Sequence, residues 1–167
     1  MTVKASSLAV VLAAAWFWAP AWAQDRVDDL RARFLHEPNA INRAKLMGQL
    51  GDAEFAEIDR DVMQDKIAEA LEVLRSYRDE VGSCDKALSA MGLDAEKHPN
   101  GFKQLQFSVR DSLRRLDTLT AGMAADEQAP FLEIRKGLGE TNRHLMEKLF
   151  PRAPSVKPEP GAKREKE

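Results

Sequence analysis

The sequence predicts an all-α protein, an antiparallel bundle of four or more helices with one long central helix, after a cleaved signal peptide. Apolar residues recur at alternating steps of three and four, no segment alternates with the period of two typical of strands, and an apolar run stands near the N-terminus. The longest regular pattern lies in residues 67–91. Its apolar positions share one helical face: Ile67, Ala70, Leu74, Tyr77, Val81, Cys84, Leu88 and Met91. This central apolar face needs other helices to cover it.

Residues 1–23 have the organisation of a signal peptide. Lys4 supplies a positive charge, residues 8–19 form an apolar run, and Ala21-Trp22-Ala23 offers small residues for a peptidase. We expect cleavage after Ala23 and an exported chain, periplasmic or secreted, without a stable membrane span. The alternative is an uncleaved anchor, for which the run is short because a span needs roughly 20 apolar residues.

The mature chain is predicted to form one helical bundle domain, residues 24–150, and a disordered tail, residues 151–167. The tail is rich in proline and charge, so it has little apolar surface to offset the entropy of ordering. We interpret it as a solvated end, with weak tethering to an anionic surface as the alternative. The formal net charge of the whole chain is only -2, and this excludes a dedicated nucleic-acid binder.

The predicted helices follow in chain order. Val27, Leu30 and Phe34 indicate a short helix that ends before Pro38, and Asn39 can cap the next one. The pair Gly51-Asp52 is typical of a stop followed by a new cap, which leaves open whether residues 39–65 form one helix or two. The apolar pattern continues beyond it through Phe55, Ile58, Val62 and Met63.

The second half contains three further helices by the same criteria. Asp65 is the predicted cap of the long helix, and Gly92 stands where a left-handed residue ends one. A polar connection leads to a helix over residues 102–123. Asp126 is the predicted cap of the last helix, which continues to about residue 149.

Cys84 is the only cysteine, so no internal disulfide can form. Its place on the central apolar face predicts a small buried side chain. The alternative is an exposed thiol that forms an intermolecular disulfide or senses redox conditions.

Candidate metal ligands occur in one acidic patch. Glu54, Glu57 and Asp61 fall on one helical face, with Asp59 and Asp65 nearby, and carboxylate oxygens attract hard cations. The interpretation that we favour is a solvent-facing patch without metal, because the segment lacks the glycine and the terminal glutamate of a calcium loop.

The rest of the sequence offers no recognisable catalytic or cofactor motif. It contains no haem site, no zinc-protease site, no serine elbow, no phosphate loop and no dinucleotide fingerprint. We therefore expect no enzyme and no cofactor.

The candidate partner-binding residues form one stripe. Lys103, Phe107, Arg110 and Arg114 are separated by steps of four, three and four, well around the helix from its apolar face. This basic stripe could bind an anionic or aromatic partner through charge and cation–π contact. The alternative is that Phe107 packs against a second helix while the cations pair with the acidic patch.

Several segments resemble those of uncharacterised exported bacterial all-helical proteins, a likeness that implies the fold but no activity. These segments are Lys45-Leu46, Leu50-Gly51-Asp52-Ala53-Glu54-Phe55, Tyr77-Arg78-Asp79-Glu80, Gly101-Phe102-Lys103-Gln104-Leu105 and Leu113-Arg114-Arg115-Leu116. Leu119-Thr120 and Gln128 are similar to the Leu-Thr-x-x-Gln motif of Spy-like periplasmic chaperones. Here the glutamine is eight residues after the threonine, so the motif itself is absent.

Three hypotheses for function remain at this stage. The first is a non-enzymatic exported protein that binds another protein or an anionic envelope component through an exposed bundle face. The second is a bundle that binds a metal ion or a small ligand. The third is an enzyme without a recognisable motif. The sequence does not indicate the oligomeric state.

Overall fold

The computed structural model describes residues 21–151, with side chains from Arg26 onward, and this part of the chain is all-helical without a strand. The five helices are α1 (Ala21–His36), α2 (Ala40–Met63), α3 (Ile67–Ala90), α4 (Phe102–Ala121) and α5 (Ala125–Leu149). The predicted all-α class is therefore confirmed. Residues 1–20, most of the predicted signal peptide, and residues 152–167, nearly all of the predicted tail, lie outside the described residues.

The central apolar face lies on α3 and is buried as predicted from Ala70 to Leu88. Tyr77, Val81 and Cys84 have no exposed surface. Met91 does not follow the pattern, because it comes after the last residue of α3 and is 40% exposed. Burial of side chains of this size is the main favourable contribution to folding.

The other helices cover this face in a simple arrangement. α2 packs against α1, α3 and α4, while α5 packs against α3 and α4. The core lies between α2, α3, α4 and α5, and α1 packs against α2 and contributes Leu30 and Phe34 to the same core. No helix between residues 21 and 151 combines the length and the apolar content needed to cross a bilayer.

α2 is one continuous helix through Gly51-Asp52, which decides between the one helix and the two that the sequence left open. Asn39 caps its start as predicted, with its Oδ1 accepting from the N–H groups of Ile41 at 2.9 Å and Asn42 at 3.1 Å. Gly51 is a packing position, because a Cβ there would stand only 3.1 Å from Cε2 of Tyr77. The close approach of α2 and α3 offsets the roughly 1 kcal/mol by which glycine weakens a helix.

The expected N-cap of α3 at Asp65 is wrong. Asp65 has a φ of 60° and lies in the turn that follows α2. In this Schellman-type turn the N–H of Lys66 donates to the carbonyl of Asp61 at 2.9 Å. Met63 is the last residue of α2, and its side chain is 86% exposed. Its predicted place in the apolar pattern is therefore wrong.

The remaining boundaries agree with the sequence except that α4 ends at Ala121, two residues before the predicted end, and that Asp126 is not a cap. Gly92 has a φ of 65°, which confirms the left-handed residue predicted after α3. α5 is preceded by Ala124, whose side chain makes no capping hydrogen bond. Asp126 lies within the first turn, where its negative charge is favourable beside the helix N-terminus.

Candidate functional site

α4 presents two faces of opposite character. Phe102, Leu105, Val109 and Leu116 are buried in the core. The basic stripe, Lys103, Phe107, Arg110 and Arg114, lies on the side exposed to solvent. The structure therefore brings all four predicted partner-binding residues to one open surface.

Phe107 is the centre of this surface. Its side chain is 41% exposed, although a phenylalanine buried in the core would have almost none of its surface in water. The Nζ of Lys103 lies 5.6 Å from the ring centroid, and the Cζ of Arg110 lies 5.0 Å from it. The ring is thus held between two cations, which favours the exposed position.

The cations of the stripe differ in their partners. Arg114 donates to Oδ1 of Asp111 at 2.6 Å. Lys103 and Arg110 contact the ring of Phe107, and within residues 26–151, whose side chains the structure describes, neither forms an ion pair with a carboxylate. None of the three cations therefore pairs with Glu54, Glu57, Asp59, Asp61 or Asp65 of the acidic patch among the residues whose side chains the structure describes.

A cleft of about 140 Å³ separates the stripe from α2. Phe107 and Arg115 line one side, and Gly48 lines the other, where the absence of a side chain leaves space. At the floor, the hydroxyl of Tyr77 and that of Ser112 lie 2.6 Å apart in a hydrogen bond. Burial raises the pKa of Tyr77, so this phenol stays protonated and serves structure rather than proton transfer.

The candidate metal ligands are not exposed, so the expectation of a solvent-facing acidic patch is wrong. Glu54 is fully buried, and Glu57 and Asp61 are each 7% exposed. Glu54 accepts from Nη2 of Arg31, and Nε of the same guanidinium donates to Oε1 of Glu80 at 3.0 Å. Arg31, whose side chain is 27% exposed, thus joins α1 to two buried carboxyl groups, Glu54 of α2 and Glu80 of α3, and we name these three residues the triad.

This triad leaves two carboxylic acids beside one cation. Burial and the charge of Glu80 raise the pKa of Glu54 to about 8, against the opposing influence of Arg31. Burial also raises the pKa of Glu80. The second carboxyl oxygens of both residues are buried and accept no hydrogen bond from the residues that the structure describes. At neutral pH the pair therefore favours one neutral acid and one carboxylate.

The other two candidate ligands are directed toward a different cation. Nη2 of Arg60 lies 3.5 Å from Oε1 of Glu57, and Nε of Arg60 lies 3.9 Å from Oδ1 of Asp61. Glu54, Glu57 and Asp61 are therefore not brought together around one point. Among residues 26–151, no three histidine, cysteine, aspartate or glutamate side chains are arranged to hold a metal ion.

Cys84 is fully buried, which confirms the prediction of a small core side chain. Burial raises the pKa of its thiol to about 12. Because the thiolate is the reactive form, a thiol of this kind reacts slowly with disulfides and oxidants.

Sequence reasoning missed the triad, although the spacing carries a signal for two of its members. Glu54 comes four residues after Leu50 and four before Ile58, so it occupies an apolar position of α2. Glu80 comes three residues after Tyr77 on the inner side of α3. A charged residue at a core position predicts a buried partner, but the pattern does not identify that partner as Arg31.

Comparisons of this chain with protein-family models, with curated proteins and with solved structures give no match. A functional proposal for it therefore depends on the surfaces and cavities described above.

Proposed function

We propose that this protein is an exported, non-enzymatic helical protein that binds an acidic segment of a partner protein through the basic stripe of α4. The single observation that carries the proposal is the exposed ring of Phe107 between Lys103 and Arg110. Aromatic residues and arginines dominate the energetics of protein interfaces, because they combine apolar area with directed polar contacts. A carboxylate of the partner could bind either cation without displacing an internal ion pair.

The distribution of acidic side chains favours a narrow partner segment over a flat anionic surface. Three aspartates lie near the stripe. Asp111, which is half-buried, and Asp117, which is exposed, are on α4 itself, and the exposed Asp52 is on α2 across the cleft. Each of these carboxylates is paired with an arginine, namely Arg114, Arg135 and Arg115, so a lipid surface or another extended polyanion would compete with them for cations that already have a partner. A single acidic helix or strand can follow the stripe and avoid these carboxylates.

The same charges disfavour a second copy of this chain as the partner. In an antiparallel contact centred on the two Phe107 rings, Lys103 of one copy would face Asp111 of the other, which is already paired with Arg114, and Arg110 would face the neutral Gln104. Electrostatic complementarity therefore favours a different, acidic protein.

The proposal includes an antiparallel bundle and export after cleavage at Ala23. Connections of three residues each join α1 to α2, α2 to α3 and α4 to α5. Connections of this length support antiparallel neighbours. The positive charge, apolar run and small residues within positions 1–23 support export.

Reversing two charges of the stripe tests the proposal. We expect Arg110→Glu/Arg114→Glu to reduce partner recovery about tenfold or more, because the change replaces two attractions with repulsions. The measurement is lysine-directed crosslinking in native cells, followed by quantitative mass spectrometry of what is attached. Neither substitution removes a lysine, so the crosslinking chemistry is unchanged.

The matched control is Arg75→Glu/Arg143→Glu, which makes the same charge change at exposed positions of α3 and α5. We expect the control to recover the partner as the wild type does. Equal recovery from the stripe variant and the control would contradict the proposal.

A further inference from the structure

A second exposed surface continues the basic stripe toward the C-terminal end of α4. Val62 and Met63 of α2 and Leu119 and Met123 beside them line an open groove of about 490 Å³. We name this the methionine groove. Met63 is its most exposed member, at 86%. Exposed apolar patches of this kind are typical of interaction sites, and methionine adapts its flexible side chain to different occupants.

The groove and the stripe form one continuous surface. The cleft beside the stripe is lined by Phe107, Asp111 and Arg115. Arg115 lines the methionine groove as well, together with Thr118. Asp111, Arg114, Arg115 and Thr118 line a shallow depression between the two. From Phe107 to Leu119 the surface extends about 18 Å along α4.

The two ends of this surface differ in charge. Lys103 and Arg110 surround Phe107 at one end, whereas Asp59 stands at the edge of the methionine groove at the other. An acidic side chain is therefore attracted at the first end, whereas at the second end the charges of Asp59 and Arg115 oppose each other and give it no net attraction. The groove itself offers apolar contacts that an acidic side chain cannot use.

We infer that the partner segment has two consecutive parts of different character. Its acidic part lies on the basic stripe, and the adjoining apolar part lies in the methionine groove. This inference rests on the proposed function and adds the chemistry and placement of the second half of the partner. The distance between the two ends corresponds to about 12 residues of a helical segment or about 5 of an extended one. Acidic and apolar residues within that separation identify the segment.

Photocrosslinking from both ends tests the inference in living cells. The photoreactive amino acid benzoylphenylalanine is introduced at Phe107, at Met63 or, as a control, at Leu132 of α5, which is 44% exposed. We expect the probes at Phe107 and Met63 to attach to the same polypeptide. The adduct from Phe107 should map to its acidic residues and the adduct from Met63 to its apolar residues, no more than about 12 residues apart. The probe at Leu132 should not capture this polypeptide.

A charge placed in the groove provides a second measurement. Met63→Asp is expected to lower the yield of the Phe107 adduct about tenfold, because it removes an apolar contact and adds repulsion near Asp59. Met146→Asp, the same change at a 39% exposed position of α5, should leave that yield unchanged.

The outcomes separate the inference from the proposed function. Capture from Phe107 that is independent of Met63, with a different polypeptide or none from the Met63 probe, overturns the inference and leaves the stripe as a binding site. Capture of lipid at either position, or no specific capture from Phe107, overturns both.

Discussion

Replacing Arg31 with methionine is expected to lower the free energy of unfolding by about 3 kcal/mol at pH 7, as measured by urea titration followed by circular dichroism. The guanidinium is the cation that contacts both Glu54 and Glu80, whose side chains are 0% and 10% exposed. Without it, two buried carboxyl groups face each other with no opposite charge. Breaking a buried ion pair by removing one partner is costly because the other charge stays desolvated.

Two companion variants make this prediction specific to the triad. Arg33→Met removes a neighbouring arginine of α1 that is 56% exposed and is expected to change stability by less than about 0.5 kcal/mol. Arg31→Met/Glu54→Leu/Glu80→Met replaces the whole triad with apolar side chains and should recover most of the loss. If Arg31→Met were no more destabilising than Arg33→Met, the triad would not hold α1 in place.

Stability is expected to fall by on the order of 3 kcal/mol between pH 5 and pH 8.5. The pKa of Glu54 is about 8 in the folded chain, above its ordinary value of 4.5. The folded state therefore binds this proton more tightly than the unfolded state. The stabilisation by protonated Glu54 is complete below about pH 4.5 and is lost as the pH rises through 8. The raised pKa of Glu80 changes stability in the same direction. Urea titrations at intervals of pH measure the slope.

Glu54→Gln places a neutral side chain of the same size in the triad and should remove most of that slope. Glu57→Gln, the same chemical change on α2 at a site beside Arg60, is the matched control and should keep it. A free energy of unfolding that increases over this range, or equal slopes for the wild type and Glu54→Gln, would be inconsistent with a proton held by Glu54.

The sequence was sufficient for the helices because their signals are local. The spacing of three and four on α3 predicts which side chains are buried, and Asn39 and Gly92 carry their capping roles in their own chemistry. The role of Gly51 stayed open because the sequence alone does not distinguish a glycine that ends a helix from a glycine that makes room for a neighbouring ring. Only the position of Tyr77 on another helix distinguishes them.

The candidate site was predicted in part for a similar reason. The spacing on α4 predicts the basic stripe, because spacing along a helix alone determines which residues share a face. The contacts of Glu54 with Arg31 and of Arg31 with Glu80 join residues 23 and 49 positions apart, which no local pattern specifies. The methionine groove depends on where α2 and α4 end relative to each other, and that is decided by packing.

The most direct test of the central claim compares Phe107→Ala with Leu132→Ala, two truncations of exposed apolar residues on α4 and α5. For each variant, partner recovery by crosslinking in cells and the free energy of unfolding are measured side by side. The account predicts that Phe107→Ala reduces recovery about tenfold or more while stability changes by less than about 0.5 kcal/mol, and that Leu132→Ala changes neither quantity. Partner recovery at the wild-type level, together with a loss of about 3 kcal/mol typical of a buried phenylalanine, would show that Phe107 serves the fold and contradict the account.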